Sequence, residues 1–164
     1  MAAAAHFLRW ILALFGGRFR RGRNVDDGGE PIAEDELLYR RISEKSGWYD
    51  ESTGEIDPQA FAPHPTEDRT GLSVSRAKYK TISQAAIGWP GKRYFVAILR
   101  AVDLVRAGIS ISPEPTSDDP GHAVLPDLNS GNRKEDRTES LQETLASLTI
   151  DVDGPFPKAG GETG

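Results

Sequence analysis

The segment from Tyr94 to Leu99 reads YFVAIL and has the strongest strand pattern in the chain. It is nearly continuous in apolar residues, which is typical of a strand that is covered on both faces and lies inside a sheet. The following residues, Arg100 to Ala107, change to a helical period that ends at Gly108, and Ile109 to Ser112 return to a strand pattern. We therefore predict a strand, a short helix and a second strand in this order.

Three further strands are predicted around this unit. Glu36 to Ile42, ELLYRRI, favours a strand through its Tyr and Ile, although the period in so few residues also fits a short helix. In Gly71 to Arg76, GLSVSR, apolar residues alternate with serines, as in a half-buried strand. His122 to Leu125, HAVL, is the last of the three.

Two turn-rich stretches lie between these strands. Glu44 to Asp57 contains several turn-forming residues and is predicted to be a loop or an irregular hairpin. Pro58 to Phe61 is predicted to form one helical turn, because Asp57 is a good N-terminal cap and proline is tolerated in a first turn. Phe61 is the expected anchor of this turn in the core.

These elements predict one α+β domain, with a small mixed or antiparallel sheet and short helices, over residues 34–128. Residues 1–17 are predicted to form a separate amphipathic helix, joined by a linker, 18–33, that is first basic and then acidic and Gly-rich. Residues 129–164 are expected to be a polar acidic tail that carries one weak helix near 138–148 and is otherwise disordered.

Charge is distributed unevenly along the chain, and the formal net charge is −5. Residues 1–25 carry five arginines and no acid, whereas 113–164 carry 4 basic and 11 acidic residues. The chain therefore lacks the continuous basic face of a dedicated nucleic-acid binder, and we do not expect a nucleic-acid partner. It also has no cysteine and no phosphate-binding glycine motif, so we predict no cofactor and no metal site.

The N-terminal helix is apolar on most of its surface and must be covered by the core, by a partner or by an anionic membrane surface. It is too short to span a bilayer. The residues expected to contact a membrane are Phe7, Trp10, Ile11, Phe15, Arg18, Arg20 and Arg21. The absence of cysteine fits the cytoplasm, with attachment to the inner face of the membrane as an alternative location.

The Pro-rich stretch between Ile56 and Arg76 is the first candidate site. We expect His64 and Asp68 at the tip of its loop, where a histidine beside a carboxylate can act as a general base or contribute to a metal site. A defined set of metal ligands is missing, which favours a contact surface for a partner. The predicted contact residues are His64, Asp68, Arg69 and His122.

A second candidate site combines Arg40 and Arg41 of the first strand with Ser73 of the GLSVSR strand. Guanidinium and hydroxyl groups that face one cleft could hold a phosphate or a dinucleotide. The alternative is that the arginines follow a sheet edge, paired with acids between Glu34 and Glu36, while the serines face solvent.

The order LYRRI, PQAFAP, GLSV and PGHAV resembles a pattern of small bacterial proteins that carries no established activity. The resemblance covers residues 37–125 and implies that the four pieces belong to one compact domain. LYRRI is also similar to the arginine-bearing first strand of small ADP-ribosyltransferase folds, but no Gly-Arg-aromatic strand and no catalytic glutamate in a late strand can be assigned.

The function predicted from the sequence is that of a small, non-catalytic accessory or interaction protein, which binds a protein partner through the loop 57–71 and the PGHAV segment. One alternative is a nucleotide-binding or transferase-like enzyme that uses Arg40, His64, Ser73 and His122. Another is a peripheral membrane protein attached through residues 7–23.

Overall fold

The structure is a computed structural model that describes residues 29–131 and 136–157. The strands are β1 (Leu37–Ser43), β2 (Tyr49–Asp50), β3 (Glu55–Ile56), β4 (Leu72–Arg76), β5 (Tyr94–Arg100), β6 (Ser112–Pro113), β7 (His122–Leu125) and β8 (Asp151–Phe156). The α-helices are α1 (Ile82–Ala85), α2 (Ala101–Arg106) and α3 (Asp136–Leu148), and two 3₁₀ turns cover Glu44–Ser46 and Pro58–Phe61. The predicted N-terminal helix and its membrane-contact residues lie outside the described residues.

Six of these strands form one sheet in the order β6-β7-β4-β1-β5-β8, and each neighbouring pair is antiparallel. The YFVAIL segment forms β5, which lies inside the sheet between β1 and β8, as its continuous apolar character predicts. β2 and β3 form a separate hairpin within the predicted turn region. The predicted α+β class with a largely antiparallel sheet and short helices is therefore confirmed.

The two faces of the sheet bury different sets of side chains. The first face carries the larger core, in which Leu38, Leu72 and Leu125 are fully buried against Leu145 of α3. Each such leucine contributes about 1.5–3 kcal/mol through the burial of its side chain. The second face carries a smaller core beneath α1, and the rest of this face remains open to a cavity.

The turn at Pro58–Phe61 fixes the beginning of the loop that leads to β4. The Asp57 carboxylate accepts a hydrogen bond from Gln59 N at 2.8 Å, and the Phe61 side chain is fully buried, so both predictions for this turn are confirmed. The loop ends at Gly71, where a Cβ atom would lie 2.7 Å from Leu125 O. Only glycine therefore allows β4 to begin this close to β7.

The C-terminal part of the chain belongs to the fold, which corrects the domain boundary predicted at residue 128. The weak helix predicted near 138–148 is present as α3, and its residue Leu145 is fully buried in the core. The prediction of a disordered tail is wrong for 151–156, because these residues form β8 and pair with β5. The DVDGPF sequence contains glycine and proline, which an edge strand tolerates because one of its sides needs no hydrogen-bonded partner.

Two other boundaries also differ from the prediction. The strand expected over Ile109 to Ser112 shares only Ser112 with β6, and Ile109 is buried in the core ahead of the strand. The predicted linker, 18–33, extends too far, because Ile32 packs against the main core and Glu30 binds residues of the β4 region. Among the described residues, none of the helices combines the length and apolar character needed to cross a membrane.

Candidate functional site

A cavity of about 400 Å³ lies on the second face of the sheet. Its floor is formed by β1, β4, the start of β5 and the start of β7, and its walls by the loop before β4 and the segment after α1. The residues that line it are Tyr39, Arg40, Arg41, Ser43, Trp48, His64, Glu67, Asp68, Ser73, Val74, Ser75, Lys80, Ala85, Ile87, Trp89, Tyr94, Asp119 and His122.

The cavity brings together both sets of residues that the sequence singled out. The lining residues that were predicted are Arg40, Arg41, His64, Asp68, Ser73 and His122. Arg69 is exposed and is not part of the lining. The partner-contact set and the phosphate-contact set are thus largely one site, because the antiparallel pairing of β4 with both β1 and β7 places their residues side by side.

Asp68 organises the loop wall of this cavity. Its carboxylate accepts hydrogen bonds from His64 N at 2.7 Å and from Ser73 N at 2.9 Å, and its carbonyl oxygen accepts one from Ser130 N at 2.9 Å. The side chain is 2% exposed. The expectation that Asp68 is displayed at the loop tip is therefore wrong, whereas His64 is exposed as predicted.

Arg40 reaches the cavity with few bonding partners. Its Nη1 donates to Ser73 O at 2.9 Å, and its Nη2 lies 3.7 Å from Asp68 Oδ2, beyond hydrogen-bond distance. Its Nε is buried and has no hydrogen-bond partner in residues 29–131 and 136–157. Burial lowers the pKa of the Arg40 guanidinium, and Asp68 opposes this shift.

Arg41 lies beside Arg40 and stacks on an aromatic ring. Its guanidinium carbon is 5.0 Å from the centre of the Tyr94 ring, and its Nη1 donates a hydrogen bond to Ile87 O. None of the ion pairs found among the described residues includes Arg41. The alternative of edge arginines paired with Glu34 to Glu36 is wrong, because β1 is an internal strand and Glu36 binds Arg76 instead.

His122 and Ser73 form a polar pair on the cavity floor. His122 Nδ1 lies 2.9 Å from Glu114 O, and His122 Nε2 lies 3.4 Å from Ser73 Oγ. A carbonyl oxygen can only accept, so Nδ1 carries the proton of this hydrogen bond. In the neutral ring Nε2 is then an acceptor for the Ser73 hydroxyl, as in a pair of nucleophile and base.

Large apolar side chains surround the mouth of the cavity, and the sequence reasoning did not identify them. Trp48, Ile87 and Trp89 are 37%, 70% and 65% exposed, and they are three of the five large apolar side chains that the described chain exposes. Trp89 lies in the turn GWPG, where no strand or helix can carry it into the core. The tryptophan in this turn was the feature of the sequence that could have indicated an exposed aromatic residue.

The remaining charged groups of the lining neutralise one another or face outward. Lys80 Nζ and Asp119 Oδ2 form an ion pair at 2.5 Å, and Glu67 is exposed at the mouth. Across residues 29–131 and 136–157, no three histidine, aspartate or glutamate side chains gather in a way that could hold a metal ion. The chemistry of the cavity is therefore that of arginine, hydroxyl and imidazole groups beneath an aromatic rim.

Comparison of the chain with known proteins found no matching family model, no similar curated protein and no similar solved structure.

Proposed function

We propose that this protein is a non-catalytic binding protein that holds a protein partner at the cavity, through the loop 57–71 and the segment 120–124. The observation that supports this proposal is that the two segments, far apart in the sequence, both contribute to one cavity with an exposed apolar rim. Loops held on a rigid sheet are common positions for binding residues.

The apolar rim favours a macromolecular partner. Scattered single apolar residues on a surface need no explanation, but a cluster around a concave site is typical of an interaction surface. Tryptophan is enriched among the residues that dominate binding energies at protein interfaces. Ile87 and Trp89 both line the cavity, and both are more than half exposed.

The test is co-purification with the full-length chain as bait, followed by reconstitution with the purified partner. The variant Ile87→Ser combined with Trp89→Ser removes the most exposed part of the rim and should weaken binding of the partner by at least about tenfold. The matched control is Val105→Ser, because Val105 is 63% exposed and does not line this cavity. Equal partner affinity for the double variant and the native chain would refute the proposal.

The arrangement of His122 and Ser73 supports a second candidate, a transferase-like enzyme that uses Arg40, His64, Ser73 and His122. Its specific support is the serine hydroxyl 3.4 Å from an imidazole nitrogen whose tautomer is fixed by Glu114 O. A fluorophosphonate probe should label Ser73 covalently in the native chain and not in Ser73→Ala. Ser75→Ala is the matched control, because Ser75 lines the same cavity two residues along β4. Labelling that persists in Ser73→Ala would exclude this candidate.

A further inference from the structure

We propose that the floor of the cavity is an oxyanion subsite, formed by Arg40, Arg41 and the Ser73 hydroxyl, which takes a carboxylate or phosphate group of the partner. This inference rests on the proposed function, because the partner carries the anionic group. It adds the chemical nature of the group that enters the cavity beneath the apolar rim.

The bonding of Arg40 is the first argument. A guanidinium has five N–H donors in a planar fork. Within the part of the chain that the structure describes, Arg40 makes one hydrogen bond, to Ser73 O. Its side chain is 15% exposed and lines the cavity, so the Nη donors that make no hydrogen bond among the described residues are available to a ligand.

The charge balance is the second argument. The Asp68 carboxylate already accepts two backbone N–H groups and lies 3.7 Å from Arg40, so it compensates the charge of Arg40 only in part. Arg41 stacks on Tyr94 and belongs to none of the ion pairs among the described residues. Lys80 and Asp119 neutralise each other, and the exposed Glu67 adds a second negative charge that acts on Arg40. The formal charges of the lining therefore balance, but neither Asp68 nor Glu67 makes a hydrogen bond to a guanidinium among the described residues, so these donors can still bind an oxyanion.

The neighbouring groups favour an oxyanion over other ligands. Arginine presents parallel donors that match the oxygens of a carboxylate or a phosphate. The Ser73 hydroxyl makes only a long contact of 3.4 Å with His122 and can turn to donate to a ligand. Trp48 and Trp89 line the same cavity and are exposed, so they can contact an apolar group that bears the anion.

The experiment measures binding of phenyl phosphate, benzoate and phenol to the full-length chain by tryptophan fluorescence. The chain has three tryptophans, and a Trp10→Phe background leaves Trp48 and Trp89, which both line the cavity. We expect phenyl phosphate or benzoate to bind at least about tenfold more tightly than phenol, the difference expected for charge-assisted hydrogen bonds. The two anionic probes distinguish a phosphate group from a carboxylate as the preferred ligand.

Variants then assign the effect to the floor. Arg40→Lys keeps the charge but loses the fork and should weaken the anionic probe at least about fivefold, whereas phenol is unaffected. Arg41→Gln is the second variant. The Arg41 side chain is exposed, so this variant should fold even if Arg40→Lys does not. Arg93→Lys is the matched control, since Arg93 forms its ion pair with Glu44 outside the cavity and should leave every affinity unchanged.

The outcomes separate this inference from the proposed function. Two results overturn the subsite. One is equal affinity for phenol and for both anionic probes, and the other is no binding of either anion at about 10 mM, a concentration at which even a weak specific ligand should bind. If that happens while the rim variant Ile87→Ser with Trp89→Ser still loses its protein partner, only the subsite is wrong. If the rim variant keeps its partner while Arg40→Lys loses the anionic probe, the subsite is supported as a small-molecule site and the protein-binding function is wrong.

Discussion

Arg76 and Arg40 lie on neighbouring strands and are both largely buried, yet their surroundings are opposite. Arg76 is fully buried, and its Nε and Nη2 donate to the two carboxylate oxygens of Glu36, both at 2.8 Å. It also donates to Glu30 O at 3.0 Å and lies over the Tyr79 ring. Among the described residues, Arg40 makes one hydrogen bond and a longer ion pair with Asp68, and its buried Nε has no hydrogen-bond partner.

The pKa values of the two arginines shift in opposite directions for this reason. The hydrogen bonds from Arg76 to Glu36 raise its pKa, whereas burial lowers the pKa of Arg40. A buried charge is costly unless it is paired and hydrogen-bonded. Arg76 meets this condition and ties the chain around Glu30 and Glu36 to β4, so its role is structural. Arg40 meets it only in part, through one hydrogen bond to Ser73 O and an ion pair of 3.7 Å with Asp68, and this difference is the basis of the proposed ligand role.

Replacing Arg76 should cause the largest loss of stability. Arg76→Met leaves the Glu36 carboxylate, whose side chain is 7% exposed, without its partner. We expect the free energy of unfolding to fall by about 3–5 kcal/mol, the usual cost of breaking a buried ion pair. The measurement is urea unfolding followed by circular dichroism. The control is Arg93→Met, which breaks a partly exposed pair with Glu44 and should cost about 0–1 kcal/mol; equal losses in the two variants would contradict the structural role of Arg76.

Replacing Asp68 should have the next largest effect. Asp68→Ala removes the acceptor of the His64 and Ser73 N–H groups and the charge nearest to Arg40. We expect a loss of about 2–4 kcal/mol in the free energy of unfolding, from two lost hydrogen bonds to a charged group. Glu67→Ala is the control, because Glu67 is exposed in the same loop. A loss below that of the control would mean that Asp68 does not hold the loop.

The strands and the capped turn could be predicted because their signals are local. β5 is continuously apolar because both of its faces are buried. β4 alternates between apolar residues and serines because only one of its faces is fully buried. The strand β8 could not be predicted in this way, because its DVDGPF sequence has no strong strand propensity and is held by backbone pairing with β5. DVDGPF forms a strand because it lies at the edge of the sheet. A single sequence does not show which strand lies at an edge.

The candidate site could be predicted in part for a similar reason. His64, Ser73 and His122 were identified by residue type, but their meeting in one cavity depends on the register of β4 against β7. Asp68 is buried and His64 is exposed, and the conformation of the folded loop determines which of the two faces inward. The sequence therefore indicated the chemistry of the site, whereas tertiary packing determined its arrangement.

Replacing Arg40 should cost less stability than replacing Arg76, although both side chains are largely buried. Arg40→Met loses one hydrogen bond to Ser73 O and the long ion pair of 3.7 Å with Asp68, and it removes a buried Nε that lacks a partner among the described residues, which opposes the two losses. Asp68 keeps both of its backbone N–H donors in this variant. We expect a loss of about 1 kcal/mol or less in urea unfolding. A loss as large as that of Arg76→Met would show that Arg40 is a structural residue and would remove the contrast between the two arginines.

The smallest predicted effect is a pH dependence that arises from Glu30, on the structural side of the comparison. Hydrogen bonds from Lys78 and Tyr79 lower the pKa of Glu30 from 4.5 to about 2. Because the folded value is lower than the unfolded value, the stabilisation is complete above about pH 4.5 and is lost as the pH falls toward 2. The Glu30 side chain is 29% exposed, so solvent screening should limit the contribution to about 1 kcal/mol.

Urea unfolding at several pH values between 7 and 3 measures this contribution as the stability difference between the native chain and Glu30→Gln. The difference should be constant above pH 5 and shrink below it, since Glu30 of the unfolded chain then begins to bind a proton, which stabilises the unfolded state relative to the folded state. Glu51→Gln is the control, because Glu51 is exposed in the hairpin turn and makes no ion pair among the described residues. A difference that stays constant down to pH 3 would mean that Glu30 contributes no charge-dependent stability and that Arg76 holds this segment without the Glu30 charge, through contacts such as those with Glu36 and the backbone carbonyl groups of residues 30 and 31.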